Sequence, residues 1–136
     1  MATSLLEAYI LLVEDDPNAQ LITLDLLRLA GANHCYSRKT VDSAIAFATK
    51  LPRVDLFLVD INMPLKSGYE LLSEVRDHDK LGQTKVVALT AATLPEDVQK
   101  ARDLGFDGFL SKPLKPAEFS IQVERILKGD SVWDSR

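Results

Sequence analysis

The sequence contains a single cysteine, Cys35, so an internal disulfide bond is excluded. No second cysteine lies near it, and we expect a buried, unreactive thiol in a strand. Long apolar runs are also missing, since no stretch approaches the roughly 20 residues that cross a bilayer. Glu7 interrupts the apolar start of the chain, which has no basic region of the kind found in signal peptides. We therefore expect a cytoplasmic protein that makes no membrane contact.

Basic residues are outnumbered, with 16 Lys and Arg against 20 Asp and Glu, which gives a net charge of -4. This balance argues against direct binding to nucleic acid. The chain has 136 residues, of which 46% are hydrophobic and 26% charged, as in a globular protein. We predict one domain over residues 1–136, with a core from about 8 to 128 and a short tail at 129–136 that is too short to fold alone.

Five short apolar runs predict β-strands. The two strongest, residues 8–13 and 54–59, are almost continuously apolar. That pattern is typical of parallel strands that are buried on both faces of a sheet. The run at 33–37 is polar and favours a position near an edge, whereas the runs at 84–89 and 107–110 complete the set.

Five helices are predicted between and after these strands. We place them at residues 18–30, 41–50, 68–76, 94–104 and 116–128. The signals that start them are the prolines Pro17 and Pro116, the cap Thr40, and two capping boxes, Ser67-Gly68-Tyr69-Glu70 and Thr93-Leu94-Pro95-Glu96. Glycine follows three of them, at Gly31, Gly105 and Gly129.

Strict alternation of strands and helices predicts an α/β fold, a doubly wound parallel sheet with helices on both faces. Ligands bind such sheets beyond the carboxyl ends of the strands, where the strand order reverses. The residues that follow each strand are therefore the candidate functional residues. They are Glu14, Asp15, Asp60, Thr90 and Lys112.

Three carboxylates among these residues favour a cation, because crowded like charges raise one another's pKa unless a positive charge lies among them. Any single one could simply cap the next helix, but the complete set is harder to explain in that way. Oxygen ligands in this number suit Mg²⁺, which shares its coordination with waters and a phosphate. Asp15 can bind the metal directly, and Glu14 directly or through a water.

The same set suits phosphoryl transfer. Asp60 can attack phosphorus to give an acyl phosphate, while Thr90 supplies a hydroxyl and Lys112 a mobile positive charge. Small Ala91 leaves room for a phosphoryl donor. The two histidines, His34 and His78, lie away from this set in the sequence, and we interpret them as surface residues.

Taken together, these motifs resemble the receiver domain of two-component response regulators, over residues from about Tyr9 to Lys128. The motifs that carry the resemblance are Glu14-Asp15, Asp60 with Met63-Pro64 and Gly68, Thr90-Ala91, and residues 108–113. The resemblance implies a flavodoxin-like fold of five strands in the order 2-1-3-4-5 with five helices. It also implies a cis peptide bond between Lys112 and Pro113.

In function, the resemblance implies that a sensor histidine kinase or a histidine phosphotransfer protein phosphorylates Asp60. Mg²⁺ would be the cofactor, bound by Glu14, Asp15, Asp60 and the backbone carbonyl of Asn62. The module would catalyse its own phosphorylation and dephosphorylation without being an enzyme in the usual sense. Kinase docking would use the first helix near Asn18, Ala19 and Ile22.

The resemblance further implies a switch. Thr90 moves toward the phosphoryl group, the aromatic ring of Phe109 turns inward, and the face made by the fourth helix, fifth strand and fifth helix changes shape. A weak homodimer through that face is a further expectation. Family members often have tyrosine in place of Phe109, and many have Asp in place of Glu14.

Two positions tune the lifetime of the acyl phosphate in the family, and here they are Asn62 and Ala92. Ala92 cannot position a hydrolytic water, so we expect a long-lived phosphoryl group. A half-life of seconds in the isolated protein would contradict this expectation.

Two other functions are less compatible with the sequence. A phosphatase of the haloacid-dehalogenase type needs an acid two residues after the nucleophile, where this chain has Asn62. A flavodoxin needs a phosphate-binding Gly/Ser/Thr-rich loop after the first strand, where this chain has Glu14-Asp15-Asp16. A stand-alone switch, a phosphorelay shuttle, and the receiver part of a longer regulator or hybrid kinase all stay open, as does the output target.

Overall fold

A computed structural model describes residues 3–91 and 94–134 of the chain. Within them, strands and helices alternate in the predicted order. The strands are β1 (Tyr9–Val13), β2 (His34–Arg38), β3 (Leu56–Val59), β4 (Lys85–Thr90), β5 (Gly108–Ser111) and β6 (Val132–Trp133). The helices are α1 (Pro17–Leu29), α2 (Val41–Ala48), α3 (Gly68–Asp77), α4 (Pro95–Leu104) and α5 (Pro116–Leu127).

The strands form one parallel sheet in the order β2-β1-β3-β4-β5-β6. The predicted order of the first five strands is thus confirmed. The order reverses beside β1, which lies between β2 and β3. Val13 at the end of β1 pairs with Val59 at the end of β3, and Asp60 N–H donates to the Val13 carbonyl over 3.0 Å. The residues that follow these two strands are therefore neighbours.

Two hydrophobic cores cover the two faces of the sheet. Alternate residues of a strand point to opposite faces, so Leu11 and Val13 join one core whereas Ile10 and Leu12 join the other. The first core is closed by α2, α3 and Ala101 of α4, and the second by α1 and α5. Each fully buried aliphatic side chain contributes about 1.5–3 kcal/mol, which explains why the central strands are apolar throughout.

Side chains cap the starts of α1, α2 and α3, and the caps of α2 and α3 are the predicted residues Thr40 and Ser67. Ala19 N–H donates to Asp16 before α1, Ser43 N–H to Thr40 before α2, and Glu70 N–H to Ser67 before α3. The capping box predicted from Thr93 to Glu96 is wrong in register, and Thr93 itself lies outside the described residues. In the structure α4 begins at Pro95, so its third residue is Asp97, whose carboxylate accepts from Leu94 N–H over 3.2 Å.

The structure differs from the predicted tail at 129–136, because Val132 and Trp133 form a sixth strand, β6. Val132 pairs with Gly108 and Trp133 with Phe109. Gly108 permits this approach, because a Cβ atom on it would lie 2.9 Å from the Val132 carbonyl oxygen. Val132 is buried in the second core. The segment is too short to be stable alone but is ordered here by the edge of β5, which supplies both hydrogen bonds and apolar surface.

Gly68 sets the position of the loop that carries Asp60. It is the first residue of α3, and its N–H donates to the Ile61 carbonyl over 3.0 Å. A Cβ atom at Gly68 would lie 2.9 Å from both the Asp60 carbonyl oxygen and the Ile61 Cα. Both neighbours are backbone atoms, so they cannot give way by a simple side-chain rotation.

We predict that Gly68→Ala lowers the free energy of unfolding by about 1–3 kcal/mol. Alanine is a better helix former than glycine, but the collision with two backbone atoms outweighs that gain. Urea denaturation of the variant checks this. Ser73→Ala, an exposed change in the same helix, is the control, and equal stability of the two variants would contradict the prediction.

Candidate functional site

Three carboxylates meet at the carboxyl edge of the sheet, as predicted. Glu14 and Asp15 follow β1, and Asp60 follows β3. One oxygen from each carboxylate lies within 4.8 Å of the other two. Glu14 is only 2% exposed, whereas Asp15 and Asp60 are half-buried. Three negative charges at this separation, one of them buried, require compensation by a cation.

Lys112 provides part of that compensation. It follows β5, its peptide bond to Pro113 is cis as expected, and its Nζ hydrogen-bonds Glu14 Oε1. The same Nζ lies 3.4 Å from Asp60 Oδ2. Burial favours the neutral amine, but the hydrogen bond to Glu14 and the charges of Asp60 and Glu14 outweigh burial and raise the pKa of Lys112. Lys112 is therefore a fixed positive charge between two carboxylates.

Both oxygens of the Asp60 carboxylate have partners. Oδ1 accepts from Asn62 N–H over 3.0 Å, and Oδ2 faces Lys112. The Asn62 contact is local in the sequence, whereas the Lys112 contact comes from the residue that follows β5. The orientation of the carboxylate is therefore defined before any ligand binds.

Gln20 is a residue of this site that the sequence reasoning missed. Its side-chain amide donates to the Glu14 backbone carbonyl over 2.5 Å, and Ser37 Oγ lies 3.4 Å from its Oε1. Gln20 thereby ties the turn after β1 to α1 and β2. The available signal was a polar residue in the first turns of an otherwise apolar helix, six positions after the acidic strand end.

Thr90 lies at the edge of the sheet that carries the candidate site, whereas Phe109 lies in a hydrophobic core. Thr90 ends β4 at the same edge of the sheet, is fully buried, and accepts from Lys112 N–H over 2.9 Å through its carbonyl. Phe109 lies in the first hydrophobic core, fully buried, in register with Ala88. The aromatic ring thus faces inward in this structure. Ala92, the other predicted lifetime residue, lies outside the described residues.

The histidines lie outside the site, as the sequence indicated. His34 starts β2 and stacks on Tyr9 with ring centroids 4.4 Å apart, at the amino ends of the strands. His78 caps α3, where its Nδ1 accepts from Lys80 N–H over 3.1 Å. The thiol of Cys35 is buried, and burial raises its pKa, which agrees with the predicted unreactive thiol.

A groove of about 420 Å³ adjoins the Lys112 side chain. Its lining comes from α1 and from the chain that follows β4 and β5, and is mostly apolar. The lining residues are Ala19, Ile22, Thr23, Ala91, Lys112, Pro113 and Leu114. Ile22 is 59% exposed there.

Among the described residues, no helix combines the length and the apolar character that crossing a membrane requires.

Comparison with known proteins agrees with this geometry. The transcriptional regulatory protein RprY of Bacteroides fragilis is 33% identical over 121 residues, which cover 88% of this chain and 49% of that protein. Chemotaxis protein CheY4 of Vibrio cholerae has a crystal structure that matches 88% of this chain and 98% of its own, with 29% identity and a TM-score of 0.80.

A third protein is the receiver domain of sensor histidine kinase PA1611 from Pseudomonas aeruginosa PAO1, with 29% identity and a TM-score of 0.77. The match covers 90% of this chain and 98% of that one, and the PA1611 structure has a magnesium ion coordinated in its active site cleft. By contrast, the chain spans about half or less of the length of several curated relatives, with 38%, 48% and 49% covered.

The family model described as the response regulator receiver domain matches residues 10–124, which include every strand-end residue of the site. The matched segment also contains β2 to β5, the helices α1 to α4 and all of β1 except Tyr9. This chain therefore belongs to the receiver-domain family of response regulators.

Proposed function

We propose that this chain is a phosphoacceptor switch in which Asp60 receives a phosphoryl group from a sensor histidine kinase or a histidine phosphotransfer protein. The observation that supports it best is the convergence of Asp60 with two further carboxylates and Lys112, from three separate strand ends. A signalling module of this kind acts by its phosphorylation state and by protein contact. Since its donors are phosphorylated inside the cell, a cytoplasmic location goes with the proposal.

The donor set fits Mg²⁺. Carboxylate oxygens are hard ligands, and Lys112 offsets only part of the three negative charges. We propose Glu14, Asp15, Asp60 and the Asn62 backbone carbonyl as the residues that hold the metal. When bound, Mg²⁺ would neutralise charge on the phosphoryl oxygens. The magnesium ion in the receiver domain of PA1611 supports this assignment.

The reaction on the protein side uses few groups. A carboxylate oxygen of Asp60 attacks phosphorus, the bond from phosphorus to the donor imidazole nitrogen breaks, and that nitrogen keeps the electron pair and takes a proton. Lys112 lies beside Asp60 Oδ2 and supplies a positive charge to the incoming phosphoryl oxygens. Thr90 is proposed to bind a phosphoryl oxygen through its hydroxyl.

The negative charge of the phosphoryl group is proposed to drive the conformational change of Thr90 and Phe109. A phosphoryl group brings about two negative charges and three strong acceptors, which would draw Thr90 and Lys112 together. Phe109 pairs with Ala88 on β4, the strand that ends at Thr90. A movement of Thr90 would therefore be passed to Phe109 through this pairing. The long phosphoryl lifetime expected from Asn62 and Ala92 stays a prediction.

The groove beside Lys112 is the proposed docking site for the phosphodonor protein. It is apolar, it opens next to the residue that faces Asp60, and Ile22 is exposed on its rim. A donor that seats its histidine here would place the phosphoryl group near the acidic cluster.

We predict that Asp60→Asn abolishes phosphorylation by acetyl phosphate and Mg²⁺, because the amide is not a nucleophile. Intact mass spectrometry checks this, with a gain of one phosphoryl group expected in the wild type. Asp55→Asn is the matched control, because Asp55 lies just before β3 and its carboxylate accepts from Tyr9 N–H and Arg53 at the opposite edge. Phosphorylation of the Asp60→Asn variant would refute the assignment.

We predict that Lys112→Met lowers the free energy of unfolding by about 3 kcal/mol without Mg²⁺, because Glu14 keeps a buried charge that has lost its partner. Millimolar Mg²⁺ should raise the melting temperature of this variant more than that of the wild type. Differential scanning calorimetry measures both. Lys128→Met, at an exposed lysine, is the control, and a Lys112→Met variant as stable as this control would contradict the expected charge pairing.

We predict that Ile22→Asp slows phosphotransfer at least tenfold from a phosphorylated histidine phosphotransfer protein that phosphorylates the wild type. Its reaction with acetyl phosphate should be unchanged, because that donor needs no docking surface. Leu21→Asp is the matched control, since Leu21 is equally exposed at 59% on the same helix but does not line the groove. Equal transfer to the two variants would place docking elsewhere.

A further inference from the structure

The edge of β5 is covered by a short segment of the chain itself, residues 131–134, which we call the strap. Its middle residues form β6. Asp134 N–H donates to the Phe109 carbonyl over 2.8 Å, and Ser111 Oγ donates to the Asp134 carbonyl over 2.6 Å. The strap therefore pairs with Gly108 and Phe109 through its backbone and is held further along β5 by the Ser111 side chain.

Side chains hold the strap on both flanks. On the α4 side, the guanidinium of Arg102 lies 4.7 Å from the ring centre of Trp133. On the α5 side, the Gln122 amide donates to Asp134 Oδ2 over 3.2 Å. The strap thus crosses between α4 and α5 and occupies the face on which the family resemblance led us to expect a weak homodimer.

The strap is also joined to the phosphorylation site through two adjacent residues. Ser111, which holds the strap, precedes Lys112, which contacts Glu14 and Asp60. Because the two residues share a peptide bond, a displacement of the Lys112 backbone would also move Ser111. A phosphoryl group on Asp60 would extend beyond the carboxylate and would pull the Lys112 ammonium toward its own oxygens. Movement of Ser111 away from the strap would lengthen its 2.6 Å hydrogen bond to the Asp134 carbonyl.

We propose that the β5 edge is a strand-binding surface that the strap occupies in the unphosphorylated protein, and that phosphorylation of Asp60 releases the strap. The inference rests on the proposed function. What becomes accessible is an unpaired strand edge, which binds extended segments of other proteins by strand addition. The strap shows the chemistry that such a partner presents, namely a β-branched residue, an aromatic residue and a carboxylate in succession.

Trp133 reports release directly, because it is the only tryptophan of the 136 residues. Its fluorescence is quenched by acrylamide in proportion to its accessibility. In the full chain with Mg²⁺, acetyl phosphate should raise the quenching constant about twofold or more, whereas Asp60→Asn should show no change. Intact mass is recorded on the same samples. A phosphoryl gain with unchanged quenching overturns this inference alone, whereas no phosphoryl gain overturns the proposed function as well.

A second comparison tests what holds the strap. Gln122→Ala removes the contact to Asp134 and should raise Trp133 quenching in the unphosphorylated protein. Gln99→Ala is the matched control, because Gln99 donates to Asp103 on α4 and not to the strap. Equal quenching in the two variants would show that the strap is not held as proposed.

The surface itself is tested with a labelled peptide, Asp-Ser-Val-Trp-Asp, which is the strap preceded by Asp130. Fluorescence anisotropy should show tighter binding to the phosphorylated full chain than to the unphosphorylated chain, and no such gain for Asp60→Asn. A peptide with alanine in place of tryptophan should bind weakly to both. Release of Trp133 without any gain in peptide binding would overturn the strand-binding surface.

Discussion

Like-charge repulsion at one edge of the sheet is the constraint on which the site depends. The parallel topology places residues 14, 15 and 60 side by side because β1 and β3 are neighbours with Val13 and Val59 in register. One lysine, delivered by a strand two places further along the sheet, lies between two of these carboxylates. The cluster therefore carries more negative charge than Lys112 alone can balance.

The scaffold fixes this cluster through contacts in which at least one partner is a backbone group. Gln20 holds the carbonyl of Glu14, Gly68 lets α3 approach the backbone of Asp60, and Asn62 N–H orients the Asp60 carboxylate. Two hydrophobic cores, one on each face of the sheet, keep the strands that carry these residues rigid. The site therefore combines a fixed set of carboxylates with a lysine that two of them hold in place.

Most of the fold and the membership of the site were predictable, because both follow from local patterns. Apolar runs located β1 and β3, and the polar residues after the strands identified the cluster. Three features were not predictable in this way. The register of the α4 cap depended on whether Asp97 or Glu96 occupied the third helical position. The contact of Gln20 with Glu14 and the pairing of Val132 with Gly108 need three-dimensional proximity, which periodicity does not encode.

The burial of Cys35 has a practical consequence. Its side chain lies in the second hydrophobic core on β2, and burial raises the pKa of the thiol, so little reactive thiolate forms at neutral pH. A cysteine introduced at an exposed position would be labelled by maleimide dyes far faster than the native one. Spin labels or fluorophore pairs can therefore be attached to this protein without first replacing its own cysteine.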